Sequence, residues 1–172
     1  MPFRYRLCLF VAAALSSASS IATEIADSAS GSSLDTSGRP NIVLVLADDL
    51  GFSDLGSYGS EINTPNLDVL AQEGVRFSNY HTAANCAPAR AMLLTGVDAH
   101  LAGVPNIPEM LSPELQQYEH YQGVLGGNVV TVATLLEDAG YHTYLAGKWH
   151  LGAGPGKLPS QRGFERGRLS AL

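Results

Sequence analysis

The stretch NCAPARAMLLTG, residues 85–96, predicts a loop that turns into a short helix. Pro88 suits the first helical turn, where a missing N–H costs no hydrogen bond, and Gly96 can end the helix in the left-handed conformation. Cys86 is therefore predicted just ahead of a helix N-terminus, which has free N–H groups and favours anions. Arg90 follows about one turn later and can reach back to the same end. A sulfur nucleophile, an anion-binding helix end and a guanidinium are thus predicted to converge.

The stretch resembles the signature of the formylglycine-dependent sulfatases, through Cys86-x-Pro88-x-Arg90 and the Leu-Leu-Thr-Gly run that ends at Gly96. In that family a formylglycine-generating enzyme oxidises the cysteine to formylglycine, an aldehyde that hydrates to a gem-diol. The family more often has Ser where this chain has Ala89. The modifying enzyme mainly needs the Cys, Pro and Arg, so the resemblance implies that Cys86 is modified. A buried cysteine before a helix is the alternative for this short pattern alone.

Upstream, Ile42–Leu46 is a continuous β-branched and aliphatic run, which predicts a central strand buried on both faces. It leads to Asp48 and Asp49, adjacent carboxylates that repel each other and need water or a cation. A divalent ion with oxygen ligands is the natural partner, and a solvated turn is the alternative. The continuation DDLGFSDLGSYG, residues 48–59, resembles the N-terminal sulfatase motif. The resemblance implies a calcium site of Asp48, Asp49 and the residue derived from Cys86.

Downstream, a predicted strand over residues 141–146 leads into GKWHLG, residues 147–152. Extended backbone would point Lys148 and His150 to the same side, where they could surround an anion. A surface turn with Trp149 as the packing residue is the alternative. GKWHLG is among the most specific stretches of the sulfatases, and the resemblance implies that its lysine and histidine contact the sulfate and the formylglycine.

Two further helices are predicted, one capped by Thr64 and ended by Gly74, the other capped by Thr131 and ended by Gly140. Strand–helix–strand order repeats, which predicts an α/β fold with a mostly parallel sheet flanked by helices. Ligands bind such sheets beyond the carboxyl ends of the strands. The resemblance implies the alkaline-phosphatase-like fold, here truncated. The helices are predicted to bury Leu67, Leu70, Ala71, Val132, Leu135 and Leu136, and residues 75–80 to form a short strand.

Residues 96–127 show no convincing periodicity and contain three prolines. A long irregular stretch in a compact domain is often functional, so it is predicted to form the rim of a substrate cleft. His100 and His120 lie in it without the paired spacing of metal ligands, which favours a place on the surface.

Composition limits the possible functions. The chain has 172 residues, 45% of them hydrophobic, and a net charge of −6, which allows one domain with a packed core. It has no basic patch or arginine-rich run, so nucleic-acid binding is not predicted.

The first 22 residues resemble a secretory signal peptide, with Arg4 and Arg6 ahead of a short apolar run and cleavage near Ala22. A buried N-terminal helix is the alternative, because the run is too short to span a bilayer. Residues 23–40 are predicted to be a flexible linker, and residues 41–172 the N-terminal part of the catalytic domain. The chain is thus expected to be exported to the periplasm or medium and to be free of the membrane after cleavage. Cys8 leaves with the signal segment, so Cys86 is expected to be the only cysteine of the mature chain.

For the family reaction, the resemblance implies that hydrated formylglycine at position 86 attacks sulfur, releases the alcohol and leaves a covalent sulfate ester, from which sulfate is then expelled. Calcium, Arg90 and Lys148 would offset charge on the sulfuryl oxygens. His150 would hold or deprotonate a diol hydroxyl.

Residues 166–172 no longer resemble the family, and the downstream metal ligands and the catalytic histidine and lysine of complete sulfatases do not follow in this sequence. Three functions therefore stay open: a sulfatase acting on aryl or carbohydrate sulfates, a phosphate or phosphonate ester hydrolase of the same superfamily, and an inactive truncated exported fragment.

Overall fold

The computed structural model describes residues 38–171, which belong almost entirely to the compact unit 41–172. The predicted signal peptide, residues 1–22, and nearly all of the predicted linker lie outside the described residues. Within that part of the chain, no helix is long and apolar enough to cross a membrane. The regular elements are α1 (Pro65–Glu73), α2 (Cys86–Thr95), α3 (Val132–Asp138), β1 (Tyr144–Lys148) and β2 (Arg166–Ala171), with 3₁₀ turns at Gly56–Tyr58, Pro108–Met110, Glu119–Tyr121 and Pro159–Gln161.

The two strands pair in parallel, with Tyr144 opposite Arg166 and Ala146 opposite Arg168. An irregularity between Gly147 and Lys148 shifts the register at the carboxyl end of β1. A parallel pair requires a crossover connection, which residues 149–165 provide. The small parallel sheet with helices agrees with the predicted α/β class, and β1 begins three residues later than predicted and includes Lys148.

The core lies next to the carboxyl end of β1. Trp149 and Leu151 are almost fully buried, and the Trp149 Nε1 atom donates a hydrogen bond to the Lys157 carbonyl at 2.9 Å. The irregular stretch 96–127, which is predicted to form the rim of a cleft, supplies core residues as well. The buried cluster is Ala87, Ala91, Ala102, Val104, Leu125, Trp149 and Leu151.

Helix α2 begins at Cys86 itself, whereas Cys86 was predicted just ahead of the helix, and Asn85 is its N-cap. It ends as predicted at Gly96, where φ is 70° and the amide donates to the Met92 carbonyl at 2.8 Å. Ala87 and Ala91 face the core, and their small side chains allow the helix to approach it closely. This approach places the first turn of α2 beside the end of β1.

The run Ile42–Leu46 is not a strand, so the prediction of a central buried strand is wrong for this structure. Its five side chains are between 47% and 83% exposed. A buried strand needs a neighbour for its backbone hydrogen bonds, and β1 and β2 pair only with each other in the described residues. The same reason applies to residues 75–80, which were predicted to be a strand and are irregular and exposed.

The apolar faces predicted for α1 and α3 are also wrong in part. Leu67 and Leu70 of α1 are 44% and 65% exposed, and that helix buries no residue. In α3 the buried side chain is Ala133, whereas Leu135 is 59% exposed. The cap predicted at Thr131 is observed, since its hydroxyl accepts a hydrogen bond from the Thr134 amide at 3.2 Å. Thr64 precedes α1 as predicted, but its side chain makes no capping hydrogen bond to that helix.

The turn at Gly163 gives a direct test of this packing. Its φ is 86°, and an added Cβ would lie 2.2 Å from the Thr134 nitrogen at the start of α3. Gly163→Ala should therefore lower the free energy of unfolding by more than about 1 kcal/mol, measured by urea denaturation. Gly127→Ala is the matched control, since an added Cβ there meets nothing within 4 Å. Equal stability of the two variants would contradict this packing.

Candidate active site

Three segments that are distant in sequence meet at the carboxyl end of β1. Asp48 Oδ2 accepts a hydrogen bond from Lys148 Nζ at 3.0 Å, and Asp48 Oδ1 accepts one from Arg90 Nη2 at 3.2 Å. Arg90 Nη1 donates to the Lys148 carbonyl at 2.8 Å. The guanidinium on α2 is thus bonded both to the loop that carries Asp48 and to the end of β1, and the sequence predicted neither contact.

These contacts set the charges of the two titrating groups. The hydrogen bond from Lys148, followed by that from Arg90, holds the pKa of Asp48 below its ordinary value. The bond to Asp48 raises the pKa of Lys148 against the opposing effect of its burial, and Cys86 adds to the rise. The site therefore keeps a carboxylate and an ammonium group together at neutral pH.

The thiol of Cys86 lies beside an imidazole. Its Sγ atom is 3.2 Å from His150 Nδ1. His150 has a φ of 59°, so the backbone is not extended there, contrary to the extended conformation from which Lys148 and His150 were predicted to share one side. Both residues still reach the site, one through Asp48 and the other through Cys86. Trp149 between them is the packing residue that the alternative interpretation expected.

The described residues do not assemble the predicted calcium ligands. No group of three or more His, Cys, Asp or Glu side chains within residues 38–171 is arranged to hold a metal ion. Asp49 is exposed at a φ of 56°, and both Asp48 oxygens already accept hydrogen bonds from cations. His100 and His120 are exposed, as predicted, and His100 pairs with Asp98 at 3.4 Å.

Sequence reasoning missed a contact between two asparagines at the start of α2. The Asn85 Nδ2 atom donates a hydrogen bond to Asn106 Oδ1 at 2.5 Å. Asn is a common N-cap residue, so Asn85 carried a local signal. Asn106 carried none, because its contact depends on how the irregular stretch folds back.

Comparisons with known proteins give a family match and several related proteins. The family model "Sulfatase" matches residues 40–167. The arylsulfatase of Klebsiella aerogenes is 45% identical over 126 residues, which are 73% of this chain and 27% of that protein. Human arylsulfatase A is 47% identical over 131 residues, 74% of this chain and 24% of that protein. The chain thus spans about a quarter of the length of these curated relatives.

A solved structure shares the fold. The crystal structure of Ps i-CgsB in complex with k-i-k-neocarrahexaose superposes with a TM-score of 0.63 and 37% identity, over 76% of this chain and 28% of that one. This likeness, together with the family match, confirms the predicted alkaline-phosphatase-like α/β fold.

The pairing of Asp48 predicts a definite pH dependence. Because its pKa is lowered in the fold, its ion pairs stabilise the chain above its ordinary pKa of 3.8 and are lost as the pH falls through the lowered value. On the alkaline side the pKa of Lys148 is raised above 10.5, so its contribution persists until the pH rises through that raised value.

Carboxyl NMR titration in calcium-free buffer should place the pKa of Asp48 below 3.8 in the wild-type chain and raise it in Lys148→Met. Lys157→Met is the matched control, because the Lys157 ammonium donates to the Leu125 carbonyl and faces no carboxylate in the described contacts. An Asp48 pKa that does not respond to Lys148→Met would contradict the ion pair.

Proposed function

This chain belongs to the sulfatase family, and from that premise we propose that it hydrolyses sulfate monoesters, with residue 86 as the nucleophile. The observation that carries the proposal is the meeting of Cys86, His150, Lys148 and Asp48 at the carboxyl end of β1 and the start of α2. The curated arylsulfatases that match this chain support the same class of reaction.

We assign the nucleophile to residue 86 after conversion of Cys86 to formylglycine by a formylglycine-generating enzyme. The thiol of the unconverted chain stands where the converted side chain would be. Once formed, formylglycine supplies a hydroxyl nucleophile through its hydrate. As the first residue of a ten-residue helix, position 86 lies beside free backbone N–H groups, which favour the negative charge of a sulfate ester.

His150 is proposed to hold or accept a proton at residue 86. Its Nδ1 atom lies 3.2 Å from Sγ, which is close to the distance over which a general base works. The left-handed backbone at His150 takes the chain out of the strand direction directly after the buried Trp149. The imidazole is therefore held by a turn that the core fixes.

Lys148 is proposed to offset charge on the sulfuryl oxygens. Its side chain is 26% exposed, so the ammonium group remains accessible to an anion while it pairs with Asp48. Arg90 is more deeply placed, with a side chain 11% exposed, and its two terminal nitrogens already bond Asp48 and the Lys148 carbonyl. We therefore assign Arg90 to positioning these two groups, rather than to the direct sulfate contact that the resemblance implied.

Asp48 and Asp49 are the residues proposed to hold calcium. Carboxylate oxygens are the right donor type, but calcium takes six to eight oxygen ligands, and two carboxylates provide at most four. Residues 38–171 thus offer calcium the right type of ligand atom but too few ligands. A bound cation would also have to share the Asp48 oxygens that now accept hydrogen bonds from Lys148 and Arg90.

The proposed substrates are aryl or carbohydrate sulfates. One structural neighbour, Ps i-CgsB, was solved in complex with k-i-k-neocarrahexaose, and this ligand of that protein favours a carbohydrate sulfate here. Export by the predicted signal segment, residues 1–22, would bring the enzyme to the periplasm or medium.

Turnover of matched esters tests the reaction. The chain, co-expressed with a formylglycine-generating enzyme, should carry a hydrazide-reactive aldehyde in the tryptic peptide that contains residue 86. It should hydrolyse 4-nitrophenyl sulfate in preference to 4-nitrophenyl phosphate, and Cys86→Ala should reduce this turnover to background, because the nucleophile is lost. Preference for the phosphate would favour the phosphoesterase alternative. An aldehyde without turnover of either ester would favour the inactive fragment.

Calcium titration tests the paired carboxylates. Calcium should bind the chain weakly, because two carboxylates supply at most four of its six to eight ligands, and Asp48→Ala and Asp49→Ala should each weaken that binding further in isothermal titration. Asp98→Ala is the matched control, since Asp98 is exposed and pairs with His100. Wild-type calcium affinity in either of the first two variants would show that the ion binds elsewhere or not at all.

A further inference from the structure

One side chain of the irregular stretch forms a hydrogen bond with the residue that precedes α2. Asn85, the N-cap of α2, makes no hydrogen bond from its side chain to the helix. Its Nδ2 atom donates instead to Asn106 Oδ1 at 2.5 Å, a partly buried contact between residues 21 positions apart. The side chain directly before Cys86 is therefore held by another segment of the chain and not by the helix that Asn85 caps.

Asn106 is itself firmly placed. Its Oδ1 atom accepts a second hydrogen bond, from the Ile107 amide at 2.9 Å. Ile107 packs against the buried core cluster. Pro105 and Pro108 flank this pair of residues and restrict the backbone on both sides. The acceptor that Asn85 meets is thus a fixed point attached to the core.

The contact acts on residue 86 through the backbone. The Asn85 carbonyl accepts the first hydrogen bond of α2, from the Ala89 amide at 3.1 Å. A shift of Asn85 would loosen that first turn and move the side chain of residue 86, which follows it directly, relative to His150. The distance of 3.2 Å between Cys86 Sγ and His150 Nδ1 depends on this first turn.

We propose that Asn106 is a positioning residue for the reaction: through Asn85 it holds residue 86 against His150. The catalytic consequence rests on the proposed sulfatase function, whereas the effect on the start of α2 does not. Asn106 touches neither residue 86 nor His150 in the described contacts, so replacing it should change the orientation of the nucleophile and not the affinity for substrate.

Steady-state kinetics test the catalytic part. In the converted full chain, Asn106→Ala should lower kcat about 10- to 100-fold, the scale for a nucleophile displaced by about 1 Å, and change KM by less than about threefold. Asn106→Asp should keep most of the wild-type kcat, because a carboxylate oxygen can accept hydrogen bonds from both Asn85 and Ile107. Asn128→Ala is the matched control, since Asn128 also bonds the irregular stretch, at the Leu101 carbonyl, and should behave as wild type.

Amide hydrogen exchange in the same variants tests the structural part without activity. Exchange at the Ala89 amide should be on the order of tenfold faster in Asn106→Ala than in wild type and near wild type in Asn106→Asp. The Leu125 amide, which bonds the Leu151 carbonyl at 2.9 Å in the core, should not change.

The proposal would be overturned if exchange at Ala89 were unchanged in Asn106→Ala, or if exchange at Ala89 and Leu125 accelerated equally. It would also be overturned if Asn106→Ala changed only KM, or if Asn106→Asp lowered kcat as much as Asn106→Ala. If the wild-type chain hydrolyses no sulfate ester while Ala89 alone exchanges faster, the link to α2 stands and the proposed function fails. The two failures are thus distinguishable.

Discussion

One carboxylate, that of Asp48, joins the three segments of the candidate site. Its two oxygens accept hydrogen bonds from Arg90 on α2 and from Lys148 at the end of β1. Without the negative charge of Asp48, the guanidinium of Arg90 and the ammonium group of Lys148 would lie close together with no anion between them. Because Arg90 is largely buried, this repulsion would be costly. The anion therefore holds α2 and the end of β1 together at the site, beside the core packing of Ala87 and Ala91.

The stretch around β1 serves the core and the site at once. Trp149 and Leu151 are buried, while Lys148 and His150, which alternate with them, reach polar partners at the site. The indole of Trp149 packs edge-on against Phe164, with ring centroids 6.1 Å apart. The packing of Trp149 and Leu151 in the core thus fixes the positions of Lys148 and His150 at the site.

The sequence predicted well the helix ends that depend on neighbouring residues. The end of α2 at Gly96 and the cap at Thr131 each depend on residues a few positions apart, and both are observed. The strand predicted over residues 42–46 failed because a strand also needs a neighbour, and neighbours cannot be inferred from the apolar run alone. Asn106 went unnoticed for a related reason: its role depends on a contact across 21 positions that no local pattern encodes.

A crystal structure of the converted protein grown with sulfate, the product of the proposed reaction, tests the central claim most directly. The account predicts a tetrahedral anion within hydrogen-bonding distance of residue 86 and Lys148 Nζ, at the start of α2, with Arg90 still bonded to Asp48. Density for sulfate only at other positions, or an anion held at the site by Arg90 with Lys148 turned away, would contradict it.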